Sequence, residues 1–127
     1  MKSAFRIEIE VLRTIAQIQN IEIDIFEMWL STACVTAREN TGAGFYTTFQ
    51  IEGPVLADVS SPLGDVWADA VSGLSHGMGF LLWLEDGCIH VLEGFAFGED
   101  TSGIDFQTVD FVLVDEDRKQ VSQRSLT

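Results

Sequence analysis

Gly77–Phe97 reads GMGFLLWLEDGCIHVLEGFAF, and the fold turns on this stretch. Two apolar runs flank Asp86-Gly87, a dipeptide that favours the two-residue turn whose positive φ values match the twist of paired strands. With Asp86 and Gly87 as the turn, Glu85 faces Cys88, Leu84 faces Ile89, Trp83 faces His90 and Phe80 faces Glu93. One side of the hairpin then carries Phe80, Leu82, Leu84, Ile89, Val91 and Phe95, together with Glu93. The other side carries Leu81, Trp83, His90 and Leu92. Both sides are apolar, so neither can be left entirely to water. Glu93 is the anomaly, a carboxylate on an apolar face.

Upstream, Ala4, Ile7, Val11, Ile15 and Ile18 recur at three- and four-residue steps, which predicts a helix over Ser3–Gln19 with Ser3 as its N-cap, although Phe5, Ile7, Ile9 and Val11 also alternate as a competing strand would. Asn20 interrupts the pattern. Ile23, Phe26 and Leu30 align on a short second helix within Ile21–Leu30, although IEID alternates as a strand would. Ala33–Glu39 and Phe45–Ile51 read as two strands joined by the turn cluster Asn40–Gly44. Asp65–Ser72 reads as another strand, with a helical turn as the alternative, and Val109–Val114 as a last one. The expectation is a single α+β domain, with N-terminal helices packed on a mainly antiparallel sheet of five to six strands. Residues 1–32 form its helical part, 33–114 its β-rich part and 115–127 a frayed polar tail, with a short terminal helix as the alternative.

The 127 residues suffice for one core, and 46% hydrophobic with 21% charged residues is a globular composition. No run approaches the ~20 apolar residues of a spanning helix. Charges interleave the opening MKSAFRIEIEVLR, unlike a secretory signal, so a cytoplasmic location is expected. Twenty acidic residues against seven basic ones give a net charge of −13. Between Glu39 and Asp117 there are 15 acidic residues and no Lys or Arg. Such a surface repels nucleic acid and anionic lipid, and its protein partner should be basic. Acidity that only keeps the chain soluble is the plainer alternative.

Few constellations carry chemistry. Cys34 and Cys88 read as small hydrophobes rather than a disulfide or metal pair. Cys88 and His90, with His76, fall short of a structural zinc set. Neither Asp100–Asp105 nor Asp115–Asp117 follows the calcium loop. Gly77-Met78-Gly79 lacks the parts of a phosphate loop, so no cofactor and no metal are expected. Glu93 remains. Unpaired on an apolar face it could serve as a general acid, but a buried pair with Arg38 is the preferred reading. The alternative is that Gly94 introduces a bulge that moves Glu93 to the rim.

Thr41-Gly42-Ala43-Gly44-Phe45-Tyr46-Thr47 and the hairpin from Gly79-Phe80 to Leu92-Glu93-Gly94-Phe95 together resemble a family of small, uncharacterised bacterial proteins. Its members share a TG-x-GF-[FY]-T turn and strand and a hairpin ending in LEG-[FY]. The resemblance covers residues 38–97 and implies that Glu93 and Gly94 matter to the shared scaffold. The Trp-Pro loop that often follows LEG-[FY] in that family is replaced here by Gly98-Glu99-Asp100-Thr101.

Three functions are expected, in order. The first is a non-enzymatic acidic module that binds a basic protein, of the immunity or antitoxin kind, with Trp67, Glu99, Asp100 and Asp105 as partner contacts. The second is a homodimer or larger homo-oligomer, structural or regulatory in role, that buries Leu81, Trp83 and Leu92 across a twofold axis. The third is a small hydrolase or isomerase in which Glu93 works with His76 or His90.

Overall fold

The computed structural model describes residues 3–55, 61–115 and, for the backbone alone, 120–124. Two helices precede the strands: α1 (Arg6–Ile18) and α2 (Ile23–Thr32). The strands are β1 (Cys34–Asn40), β2 (Gly44–Gln50), β3 (Leu63–Val71), β4 (Met78–Glu85), β5 (Cys88–Ala96), β6 (Phe111–Val114) and β7 (Gln120–Arg124). All neighbours pair antiparallel in the order β1-β2-β5-β4-β3-β6-β7. This is the expected α+β fold. Six of its strands lie between Cys34 and Val114, and the seventh comes from the stretch read as a polar tail. Gln120–Arg124 has no apolar period, but its backbone pairs with β6, with Phe111 opposite Arg124. The rest of that tail, 116–119 and 125–127, lies outside the described residues.

The apolar stripe of α1 behaves as its spacing predicts: Ile7, Val11, Leu12 and Ile15 are fully buried. The helix starts later than expected, with Phe5 rather than Ser3 at the N-cap. Glu8 is the reason. Three positions into the helix, its Oε1 accepts the Phe5 backbone N–H at 2.6 Å, fixing the first turn without a capping hydroxyl. Asn20, at φ +56°, ends the helix in the left-handed conformation. In α2, Phe26 and Trp29 turn inward, and Trp29 Nε1 donates to the Pro54 carbonyl at 2.7 Å.

Both helices pack on one face of the sheet, over Phe45, Phe49, Phe80, Leu82, Ile89 and Leu92. At the centre, β4 and β5 form the expected hairpin, with Asp86 and Gly87 both at positive φ. Glu85 faces Cys88 and Leu84 faces Ile89, as predicted. Beyond them the register slips by one residue. Trp83 faces Val91 rather than His90, and Phe80 faces Gly94 rather than Glu93. His90 is the extra residue of a bulge, and one extra residue exchanges the faces of everything after it. Leu92 therefore joins the core at 0% exposure, whereas Val91, Glu93 and Phe95 move to the face away from the helices.

Candidate binding face

The bulge at His90 overturns the predicted Arg38–Glu93 pair, because the two side chains lie on opposite faces. Arg38 pairs opposite Thr47 on the helix side, and its partner there is Glu8. Arg38 Nε reaches Glu8 Oε2 at 2.9 Å, and an NH2 nitrogen reaches Oε1 at 2.7 Å. Phe5 N–H also donates to Oε1, and the Thr47 hydroxyl to Oε2. The Glu8 side chain is 1% exposed and receives four donors, about as many as a carboxylate has lone-pair sites. The Arg38 guanidinium carbon sits over the Phe5 ring, 3.4 Å from its centroid, and an NH2 nitrogen also reaches the Ser3 carbonyl at 2.9 Å. A cleft of about 180 Å³ opens beside the pair, between Phe5, Arg38, Phe45 and Phe106; Arg38 and Glu8 neutralise each other there, and Glu39 and Asp105 also line it.

Glu8 escaped the sequence reading, although a signal was present. Ala4, Glu8, Val11 and Ile15 follow the same three- and four-residue steps as the apolar stripe, which places Glu8 inside it.

The two segments carrying the family resemblance fold against each other. Gly44 pairs with Phe95, Phe45 with Gly94, Tyr46 with Glu93 and Thr47 with Leu92. A Cβ at Gly94 would come within 2.4 Å of the Phe45 ring, and one at Gly44 within 2.0 Å of the Gly94 carbonyl. Glycine is required at both positions by close approach.

The face away from the helices is organised in rows. Leu81, Glu93, Tyr46 and Glu39 stand side by side across β4, β5, β2 and β1. A neighbouring row holds Trp67, Gly79 and Phe95, and the Phe95 and Trp67 rings close over Gly79. Trp67, Phe95 and Phe97 form an aromatic cluster with ring centroids 5.7–6.3 Å apart. Tyr46, Trp83 and Phe97 are 40%, 40% and 46% exposed. Neither helix covers this face.

Glu93 sits at its centre. Trp83 Nε1 donates to Oε1 at 3.1 Å, and the Tyr46 hydroxyl lies 3.3 Å from Oε2. Among the described residues no cation pairs with it. The charge of Glu93 raises the Tyr46 hydroxyl pKa, with smaller contributions from burial and from Glu39.

The other predicted residues disperse. Trp67 lies on the open face. Glu99 accepts the backbone N–H groups of Ser75 and His76 at 2.8 and 2.9 Å, which hold its carboxyl below the usual range. Asp100 accepts from Ser102, whose hydroxyl and, next to it, backbone N–H lower the Asp100 pKa, and Asp105 caps Gln107 N–H; both remain exposed. His90 Nε2 lies 2.9 Å from Glu85, and neither histidine is a hydrogen-bond partner of Glu93. Cys34 and Cys88 are free thiols that donate to the Gln50 and Pro54 carbonyls; burial and nearby Asp86 raise the Cys88 pKa. Among the described residues, no three Cys, His, Asp or Glu side chains converge on a metal position, and no helix is long and apolar enough to cross a membrane. Comparison of the chain with protein-family models, curated proteins and solved structures finds no match.

Proposed function

We propose that this protein is a non-enzymatic binding module for a basic protein, of the bacterial immunity or antitoxin kind, acting in the cytoplasm. The observation that carries this reading is the open sheet face. It gathers Trp67, Trp83, Tyr46, Phe95 and Phe97 around Glu93, and aromatic anchors ringed by polar groups are what binding hot spots are made of. Its charge selects the partner. The strands β2 to β6 carry no Lys or Arg, so the only charges they offer are negative. Exposed Asp100 and Asp105 extend the acidic field that would steer a basic partner inward. A second copy of the chain is a poorer occupant, because a net charge of −13 opposes its own approach. The resemblance to small bacterial proteins is compatible with this role.

The test is co-expression with the product of the adjacent gene, followed by size-exclusion chromatography at low and high salt. A stoichiometric complex that weakens with salt, and that Trp83→Ala with Phe97→Ala weakens by ~30-fold or more, is the expected result. Absence of a complex, or one indifferent to both substitutions, overturns the proposal. A homodimer of the isolated chain held through Trp83 would assign the face to self-association instead.

A further inference from the structure

We infer that Tyr46, Glu93 and Trp83 form a seat for one cationic side chain of the partner, and that this side chain is an arginine. The inference rests on the open face being a protein-binding surface and names the contact at its centre.

The helix-covered side of the same sheet shows what a carboxylate in this protein looks like when satisfied. Glu8 takes four donors, two of them from the fork of Arg38, whose guanidinium lies on an aromatic ring. Glu93 has half of that arrangement. Among the described residues, Trp83 and Tyr46 supply one neutral donor to each oxygen, which leaves about one lone pair per oxygen without a donor from them. These two bonds hold the carboxylate in place, so a ligand does not have to order it. What is missing is a pair of parallel N–H donors on a planar cation. Arginine presents such a fork and stacks on aromatic faces, whereas lysine presents a compact point charge. The part-exposed rings of Trp83 and Tyr46, which donate to the two Glu93 oxygens, offer aromatic surface beside the carboxylate for a guanidinium, as the Phe5 ring does beneath Arg38. Glu39, next to Tyr46 in the same row, adds a second negative charge at the rim.

Nuclear magnetic resonance titration of the ¹⁵N-labelled chain with acetyl-Gly-Arg-Gly-amide tests this without the natural partner. The lysine peptide and the citrulline peptide, a neutral isostere of arginine, are run alongside. The expected result is a saturable shift of the Trp83 indole N–H with the arginine peptide and a weaker one with lysine. Citrulline should give none, and the buried Trp29 indole should stay still. Glu93→Gln should weaken arginine binding about fivefold, the scale of an exposed ion pair. Circular dichroism checks that the variant is folded, and Trp83→Leu, followed at the backbone amides of Tyr46 and Glu93, which should also saturate in the wild type, gives a second variant that should abolish saturation. Equal responses to arginine and citrulline, no saturation, or titrations unaffected by Glu93→Gln overturn the seat. If the adjacent gene's product still binds and depends on Trp83 and Phe97, the face survives and only the seat is lost. Arginine binding at Trp83 without any such complex keeps the seat and removes the proposed partner class.

Discussion

Glu8 and Glu93 face opposite sides of one sheet, and the chain treats them in opposite ways. Their contacts on β2 are consecutive residues: Thr47 donates to Glu8, and Tyr46 to Glu93. Strand alternation sends those neighbours to opposite faces. On the helix side, burial removes water, so the carboxylate survives only by filling every acceptor position from the protein. On the open side water remains, and the carboxylate can stand with half its positions unfilled by the protein. A saturated carboxylate fixes structure, whereas a half-filled and oriented one is available to a ligand.

The sharpest way to break this contrast is to remove the buried member. Glu8→Ala strands the Arg38 guanidinium in a site where its side chain is 17% exposed, and also leaves Thr47 and the first turn of α1 without their acceptor. The expected loss is about 3–5 kcal/mol, measured by urea denaturation. A loss below about 1 kcal/mol would mean that water already replaces the protein donors, and the distinction between the faces would fall.

Gly94→Ala comes next. Its new methyl would enter the buried Phe45 ring, forcing the ring or the strand to move, at a cost of about 1–3 kcal/mol. Adding Phe45→Leu should recover part of that loss, because the obstruction is the ring itself. If the double variant is no better than the sum of the two single ones, the β2–β5 contact is not what requires the glycine.

How much of this was legible follows from where the signals lie. The Asp86-Gly87 turn, the stripe of α1 and the aromatic β2 were readable because each is a local pattern with one physical cause. The bulge was not. Ile89-His90-Val91-Leu92 is apolar on either assignment of faces, so alternation gives no sign of the inserted residue, and the error then passes to Glu93 and its partner. β7 was missed for a related reason. A strand at the sheet edge can be held by backbone pairing alone, without apolar period in its side chains. Glu8 was legible from spacing, but a charged residue amid an apolar stripe reads as solvated unless its partner, 30 residues away on β1, is known.

Glu93→Gln sharpens the comparison from the open side. With no cation among the described residues to strand, the substitution should change stability by no more than about 0.5 kcal/mol, in contrast to Glu8→Ala. Binding, not folding, should register it. A destabilisation comparable to that of Glu8→Ala would show that Glu93 supports the scaffold, and the two faces would no longer differ in kind.

The smallest effect belongs to a third carboxylate, intermediate between the two. Glu99 is held by protein donors as Glu8 is, but these are two backbone N–H groups at the surface, Ser75 and His76. They favour the ionised form and depress its pKa in the folded state. A depressed carboxyl contributes stability above the unfolded-state pKa, near ~4.3 for glutamate, and loses it as pH falls through the lower folded value. The wild type should therefore be slightly more stable than Glu99→Gln at pH 7, with the gap closing as pH drops below that range. Thermal denaturation of both proteins from pH 7 to pH 3 measures the gap. A gap that is constant across the range would place the role of Glu99 in its shape rather than its charge, and solvent screening at this exposed loop keeps the expected difference the least of the four.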